Sequence, residues 1–127
     1  MAKIMVVDDD PDVVEACELV LKKAGHEISS AGSRKEGMEK AKAEKPDLLI
    51  LDVMMEEPDD GIRMARQIRR EGFHLPILML TSVNAAMGLH IDKDDEVVPV
   101  DEFQEKPVDP PTLIRKVEQL LAGRKES

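Results

Sequence analysis

The sequence contains no tryptophan and no tyrosine, and Phe73 and Phe103 are its only phenylalanines. It therefore lacks the large aromatic platforms on which nucleobases stack. An apolar core has to be assembled from Val, Ile, Leu, Ala and the eight Met. A single cysteine, Cys17, excludes an internal disulfide and a cysteine-rich zinc site, so nothing points to an oxidising compartment. No apolar run approaches the roughly 18 residues that a membrane span requires, and the N-terminus lacks a basic-then-apolar signal segment. Positive charge is scarce as well. Lys and Arg number 18 against 27 Asp and Glu, a formal net charge of −9, and no basic cluster is longer than a pair such as Lys22-Lys23 or Arg69-Arg70. That balance argues against direct binding to nucleic acid or to anionic membrane surfaces. A cytoplasmic protein is the expectation. No glycine-rich loop of P-loop or dinucleotide type is present. Asp8-x-Asp10-x-Asp12 and Asp92-x-Asp94 begin like calcium loops, but Val13 and Val97 occupy the sixth position, where such loops need glycine. His26, His74 and His90 fall at unrelated places and read as surface residues or local hydrogen-bond partners rather than ligands.

What is present is the pattern of one α/β domain over residues 1–127, with 122–127 a short charged tail. A chain of this length buries roughly two thirds of its unfolded surface, and a hydrophobic content of 42% is enough to fill the core. Ile4-Met5-Val6-Val7, Leu48-Leu49-Ile50-Leu51 and Ile77-Leu78-Met79-Leu80 are continuously apolar, as central parallel strands covered on both faces require. Glu27 to Ala31 and the stretch around Phe103 are more polar and belong near the sheet edges. Between the strands, Val13, Cys17, Val20, Leu21 and Ala24 form one stripe of a helix from about Asp12 to Ala24 that Gly25 stops. Ser33-Arg34-Lys35-Glu36 has the spacing of a capping box, so a second helix starts there and ends before Pro46. A third helix follows Asp60-Gly61, and Asp109-Pro110 opens the last one. Between Thr81 and Asp101 the periodicity fails and an irregular segment is expected, with a short helical turn at most. Cys17 and the methionines read as core filler.

Polar groups terminate the apolar strands: Asp8 and Asp9 follow the first, Asp52 the third and Thr81 the fourth. Ligand sites of open parallel sheets lie at that edge, near the point where strand order reverses. In an order 2-1-3-4-5 the first and third strands are neighbours, so the three aspartates converge. Two such carboxylates about 4 Å apart repel by about 4 kcal/mol at the effective dielectric of a protein surface. The remedy is a raised pKa or a bound cation. All-oxygen ligation suits Mg²⁺, which takes one or two carboxylates and keeps waters for exchange with phosphate oxygens.

At this point the sequence resembles the receiver domains of two-component response regulators, of the chemotaxis-regulator type. The resemblance is carried by Val6-Val7-Asp8-Asp9, Asp47-Leu48-Leu49-Ile50-Leu51-Asp52-Val53-Met54-Met55, Asp60-Gly61, Leu80-Thr81-Ser82 and Phe103-Gln104-Glu105-Lys106-Pro107, and it runs from Lys3 to about Leu121. It implies a flavodoxin-like three-layer sandwich with a five-stranded parallel sheet in order 2-1-3-4-5, helices on both faces, and a fourth helix that is short or irregular here.

By the same resemblance, Asp52 is the phosphoacceptor, and Asp9, Asp52 and the backbone carbonyl of Met54 hold Mg²⁺ while Asp8 acts through a bound water. Lys106 supplies a point charge to a phosphoryl oxygen and pairs with Asp52 at rest. Thr81 donates its hydroxyl to the phosphoryl group, Ser82 leaves room for it, and Phe103 is the ring whose rotamer follows Thr81. Pro107 matches a cis proline of the family. Met54 and Val83 occupy positions that tune hydrolysis and cannot orient a water, so a long-lived phosphoryl group is expected. The partners implied are a sensor histidine kinase or phosphotransfer protein and a downstream target protein or output domain. The resemblance also leaves room for a weak homodimer. Any catalysis is limited to self-phosphorylation and self-dephosphorylation.

Two departures stand out. Glu56-Glu57-Pro58 replaces the proline usual soon after the acceptor and lengthens the loop to Gly61 by one residue, and the segment from Val83 to Val100 is unlike the usual fourth helix. These altered loops leave a second reading open, a docking module of the same fold that works without phosphate. An aspartate-nucleophile phosphatase is disfavoured because Val53-Met54 supplies no second aspartate.

Overall fold

Each residue of Ile4 to Val7, Leu48 to Leu51 and Ile77 to Leu80 is completely buried. That is why these runs are continuously apolar instead of alternating: both faces of the strands are covered. The structure is a computed structural model that describes residues 2–53, 55, 60–81, 100–106 and 108–126. Along the chain it has β1 (Lys3–Val7), α1 (Pro11–Lys23), β2 (Glu27–Ala31), α2 (Arg34–Glu44), β3 (Leu48–Asp52), α3 (Asp60–Arg70), β4 (Ile77–Thr81), β5 (Glu102–Glu105) and α4 (Pro110–Glu126). The five strands are all parallel, in the order β2-β1-β3-β4-β5 expected from the sequence. The expectations for residues 82–99, a short or irregular fourth helix among them, lie outside the described residues.

The period of two along each strand divides the core into two layers. Met5, Val7, Leu49, Leu51, Ile77 and Met79 face α2 and α3, where they meet Met38, Ala41, Met64 and Ile68. Ile4, Val6, Leu48, Ile50, Leu78 and Leu80 face α1 and α4, where they meet Cys17, Leu21, Leu113 and Val117. Burying such a side chain contributes about 1.5–3 kcal/mol relative to leaving it in water. Met5, Met38, Met55, Met64 and Met79 are buried, in keeping with their reading as core.

The helix ends follow local chemistry. Asp10 caps α1 by accepting from the Asp12 N–H, and Pro11 opens the helix where its missing N–H costs nothing. At α2, Ser33 Oγ accepts from the Glu36 N–H at 3.2 Å. The reciprocal bond of the expected capping box is displaced by one residue, since Glu36 Oε1 accepts from the Gly32 N–H at 2.7 Å. His26 is also more than a local partner. Its Nδ1 accepts from the Ala2 N–H and its Nε2 donates to Glu118 Oε1 at 3.0 Å, so the ring ties the start of β1 to α4.

Candidate phosphoacceptor site

The register sets the C-terminal ends of the strands side by side. Val7 lies between Ala31 and Leu51, Asp52 is beside Leu80, and Thr81 is beside Glu105. Asp8, Asp52, Thr81 and Lys106 therefore emerge at one edge because each is the last residue of its strand or the next one on. Backbone hydrogen bonds continue past the strands and hold that edge: the Asp8 N–H donates to Ala31 O, the Val53 N–H to Leu80 O, and the Lys106 N–H to Thr81 O at 2.8 Å.

Asp8, Asp9 and Asp52 each present a carboxylate oxygen such that all three oxygens lie within 4.8 Å of one another. Two ligands on opposite sides of one Mg²⁺ are separated by about 4 Å, twice the metal–oxygen distance, so this hard-oxygen set has the right size and chemistry for that ion. Asp8 and Asp52 are buried and Asp9 is exposed. Asp8 Oδ1 accepts from the Asp10 N–H at 2.9 Å, which fixes the plane of the carboxylate. Its Oδ2 lies 2.9 Å from Lys106 Nζ, and the same ammonium is 3.1 Å from Asp52 Oδ1.

Burial, reinforced by the charge of Asp8 and less strongly by that of Asp9, pushes the Asp52 carboxyl from 3.8 up to about 6, although the Lys106 ammonium pulls the other way. Burial disfavours the Lys106 charge, but the contacts and charges of Asp8 and then Asp52 outweigh it and hold the ammonium above its ordinary range. The result is a cation fixed between two carboxylates, one of them poised near neutrality. Beneath it, burial and then the Asp8 charge push the Cys17 thiol up to about 12, so this buried cysteine is no nucleophile at neutral pH.

Thr81 is buried one residue beyond the Leu80 that pairs with Asp52. Phe103 is beside Met79 and packs, partly buried, against the α2–α3 layer. The structure thus brings Asp8, Asp9, Asp52 and Lys106 into contact, sets Thr81 on the adjoining strand end, and places Phe103 lower on the sheet. Met54, Ser82, Val83 and Pro107 lie outside the described residues. Two features of the site are not conspicuous in the sequence. Gly61 seats against the end of β3, where an added Cβ would come within 2.0 Å of the Asp52 carbonyl oxygen. Asp60 beside it is buried and lies 3.5 Å from Arg34 Nε. The Asp60-Gly61 pair was the only sequence signal for either.

Comparison with known proteins decides the family. Residues 4–118 match the model of the response regulator receiver domain. The chain belongs to that family. Among curated proteins it is 34% identical over 123 residues to the alkaline phosphatase synthesis transcriptional regulatory protein PhoP of Bacillus subtilis, covering 94% of this chain and 48% of that protein. It is 33% identical over 132 residues to the transcriptional regulatory protein AfsQ1 of Streptomyces coelicolor, covering 100% of this chain and 55% of the relative. A CheY-like receiver domain protein from Methanospirillum hungatei superposes with a TM-score of 0.83 at 29% identity, covering 98% of each chain. The receiver domain described here thus spans about half the length of the curated relatives it matches. Receiver domains are the phosphoacceptor switches of two-component systems; they bind Mg²⁺ at an acidic pocket, and response regulators take phosphate from histidine kinases and act on output domains. Among the described residues, no helix is long and apolar enough to cross a membrane.

Proposed function

We propose that this receiver domain is switched by phosphorylation of Asp52. The observation that carries the reading is the Lys106 ammonium held at 2.9 and 3.1 Å between Asp8 and Asp52, inside a three-aspartate cluster. In the reaction an Asp52 carboxylate oxygen attacks phosphorus, forming an acyl phosphate as the bond from phosphorus to the donor breaks and the donor's leaving group departs. The donor is a sensor histidine kinase or a phosphotransfer protein, and the cytoplasm is the compartment. With a carboxyl at about 6, Asp52 is mostly ionised at neutral pH and available as the nucleophile.

Mg²⁺ would be held by Asp9, Asp52 and the Met54 carbonyl, with Asp8 acting through a water. When bound, it supplies charge neutralisation for the carboxylates and for the oxygens of an incoming phosphoryl group. The rest falls to the chain itself. Lys106, its backbone fixed by the bond to Thr81 O, exchanges its contact with Asp52 for a phosphoryl oxygen. Thr81 donates its hydroxyl, and the space it vacates admits Phe103. That coupling is a population shift needing only a few kcal/mol of differential interaction. The changed surface acts on a downstream target protein or output domain, and a weak homodimer is one form it can take. Met54 and Val83 offer no polar group to orient a water, which favours a long-lived phosphoryl group.

Intact mass after incubation with acetyl phosphate and Mg²⁺ tests the reading. One phosphoryl addition, absent in Asp52→Ala, is expected. Unmodified Asp52 together with unaltered target binding in the presence of beryllofluoride would replace it with the phosphate-independent docking module.

A further inference from the structure

Among the described residues three aspartates are buried, Asp8, Asp52 and Asp60, and the chemistry proposed above uses only the first two. Asp60 opens α3, and the residue after it is held to the acceptor strand in two ways. The Gly61 N–H donates to Val53 O at 2.9 Å, and the site of a Gly61 Cβ is 2.0 Å from the Asp52 carbonyl oxygen, so no larger residue could approach so closely. The position of the first turn of α3 is therefore transmitted directly to the backbone of Asp52.

Arg34 reaches this turn from the other side. It is the first residue of α2, and its backbone is secured on both flanks by the bonds of Ser33 Oγ to the Glu36 N–H and of Glu36 Oε1 to the Gly32 N–H. Two residues before that cap, Ala31 O accepts from the Asp8 N–H at 3.1 Å. A single junction, 31–36, thus touches the Asp8 loop through a backbone bond and the Asp52 loop through the ion pair of Arg34 Nε with Asp60 Oδ1 at 3.5 Å. Taking away an ion-pair partner raises the cost of holding a buried carboxylate where it lies. Any loosening of Asp60 reaches Gly61, the next residue of the same turn.

We propose that Arg34 is a positioning residue for the phosphoacceptor: through Asp60 it fixes the first turn of α3, and through Gly61 that turn fixes the Asp52 backbone relative to Asp8. The effect on phosphorylation rests on the reading of Asp52 given above, whereas the effect on Gly61 does not. Arg34 suits truncation, because the pair lies on an open groove of about 490 Å³ lined also by Lys35, Met38, Lys42 and Gln67. Water fills the space and no core cavity results.

The test compares Arg34→Ala, Arg34→Lys and Lys35→Ala, the last removing a cation from the same groove. Amide exchange at Gly61 and Val53 is followed by NMR in metal-free protein, and the rate of Asp52 phosphorylation by acetyl phosphate with Mg²⁺ is followed by intact mass. Arg34→Ala is expected to speed Gly61 exchange by about tenfold without speeding exchange of β1 and β3 amides. It should also slow phosphorylation by roughly tenfold, as small misplacements of reacting groups do. Arg34→Lys should recover most of both effects and Lys35→Ala should show neither. Unchanged Gly61 exchange in Arg34→Ala overturns the proposal, and so does faster exchange with an unchanged phosphorylation rate. A wild-type chain that accepts no phosphoryl group overturns the function reading, and Gly61 exchange alone then decides whether Arg34 holds the turn.

Discussion

Lys106 Nζ lies 3.1 Å from Asp52 Oδ1 and is shared with Asp8 Oδ2 at 2.9 Å, with four fifths of the lysine side chain out of water. One cation thus compensates two buried carboxylates, and removing it leaves them facing each other. Breaking a fully buried pair costs about 3–5 kcal/mol; because this lysine keeps some contact with solvent, we expect Lys106→Met to lose about 1–3 kcal/mol at neutral pH. The loss should shrink toward acid pH as Asp52 takes up a proton and the repulsion fades. Phosphorylation by acetyl phosphate should slow by roughly a hundredfold, the usual effect of losing one donor to developing charge. Urea melts at two pH values and intact-mass kinetics check the two expectations.

The raised Asp52 carboxyl has a stability consequence of definite sign. The folded protein binds this proton more tightly than the unfolded chain, so metal-free protein loses stability as pH rises from the ordinary 3.8 to about 6, and the loss is complete above that window. Asp52→Asn carries no such charge. It should be more stable than the wild type at neutral pH, with the difference narrowing as pH falls through the window. An equal difference at about pH 4 and about pH 7 in metal-free buffer would contradict the assignment.

The sheet was legible because its central strands are buried on both faces, which forces continuous apolar runs whose polar ends mark the site. Asp8, Asp9 and Asp52 could be placed together once β1 and β3 were neighbours, and Lys106 came from the family resemblance carried by Phe103 to Pro107. The ion pair of Arg34 with Asp60 could not be read that way. It joins two helix starts 26 positions apart, and neither residue differs in type from the many charged residues around it. The His26 contact with Glu118 spans 92 positions and is hidden for the same reason. Helical period identifies which face is buried, but it carries no information about which polar ends meet across loops.

Mg²⁺ should stabilise the folded chain, because the unfolded chain cannot gather the three carboxylates. A ligand that binds only the native state at about a hundred times its Kd adds about 2.7 kcal/mol. We therefore expect the melting temperature to rise with Mg²⁺ in the wild type and to fall back on chelation with EDTA. Asp9→Ala should lose most of the rise, since Asp9 is the exposed member of the cluster and its removal leaves the buried core intact. A wild-type melting temperature insensitive to Mg²⁺ at millimolar concentration would exclude the site.

Gly61 should be the least replaceable small residue near the acceptor. Its φ is ordinary, so the constraint is approach rather than backbone conformation: a Cβ would sit 2.0 Å from Asp52 O, 2.8 Å from the Asp52 carbonyl carbon and 2.9 Å from Val53 Cα. All three are backbone atoms of Asp52 and the residue after it, so no side-chain rotation relieves the clash. Gly61→Ala must push α3 away from β3, at a cost of about 1–3 kcal/mol. The displacement also strains the bond from the Gly61 N–H to Val53 O, so phosphorylation should suffer in excess of the lost stability. Gly37→Ala is the control, because the nearest atoms its Cβ would meet are side-chain atoms, Met64 Cε at 3.0 Å and the Val7 methyls at 3.1 Å, and none belongs to the Asp52 backbone. At a temperature where both variants are folded, Gly61→Ala should phosphorylate several times more slowly than Gly37→Ala, and equal rates would show that the close approach serves packing alone.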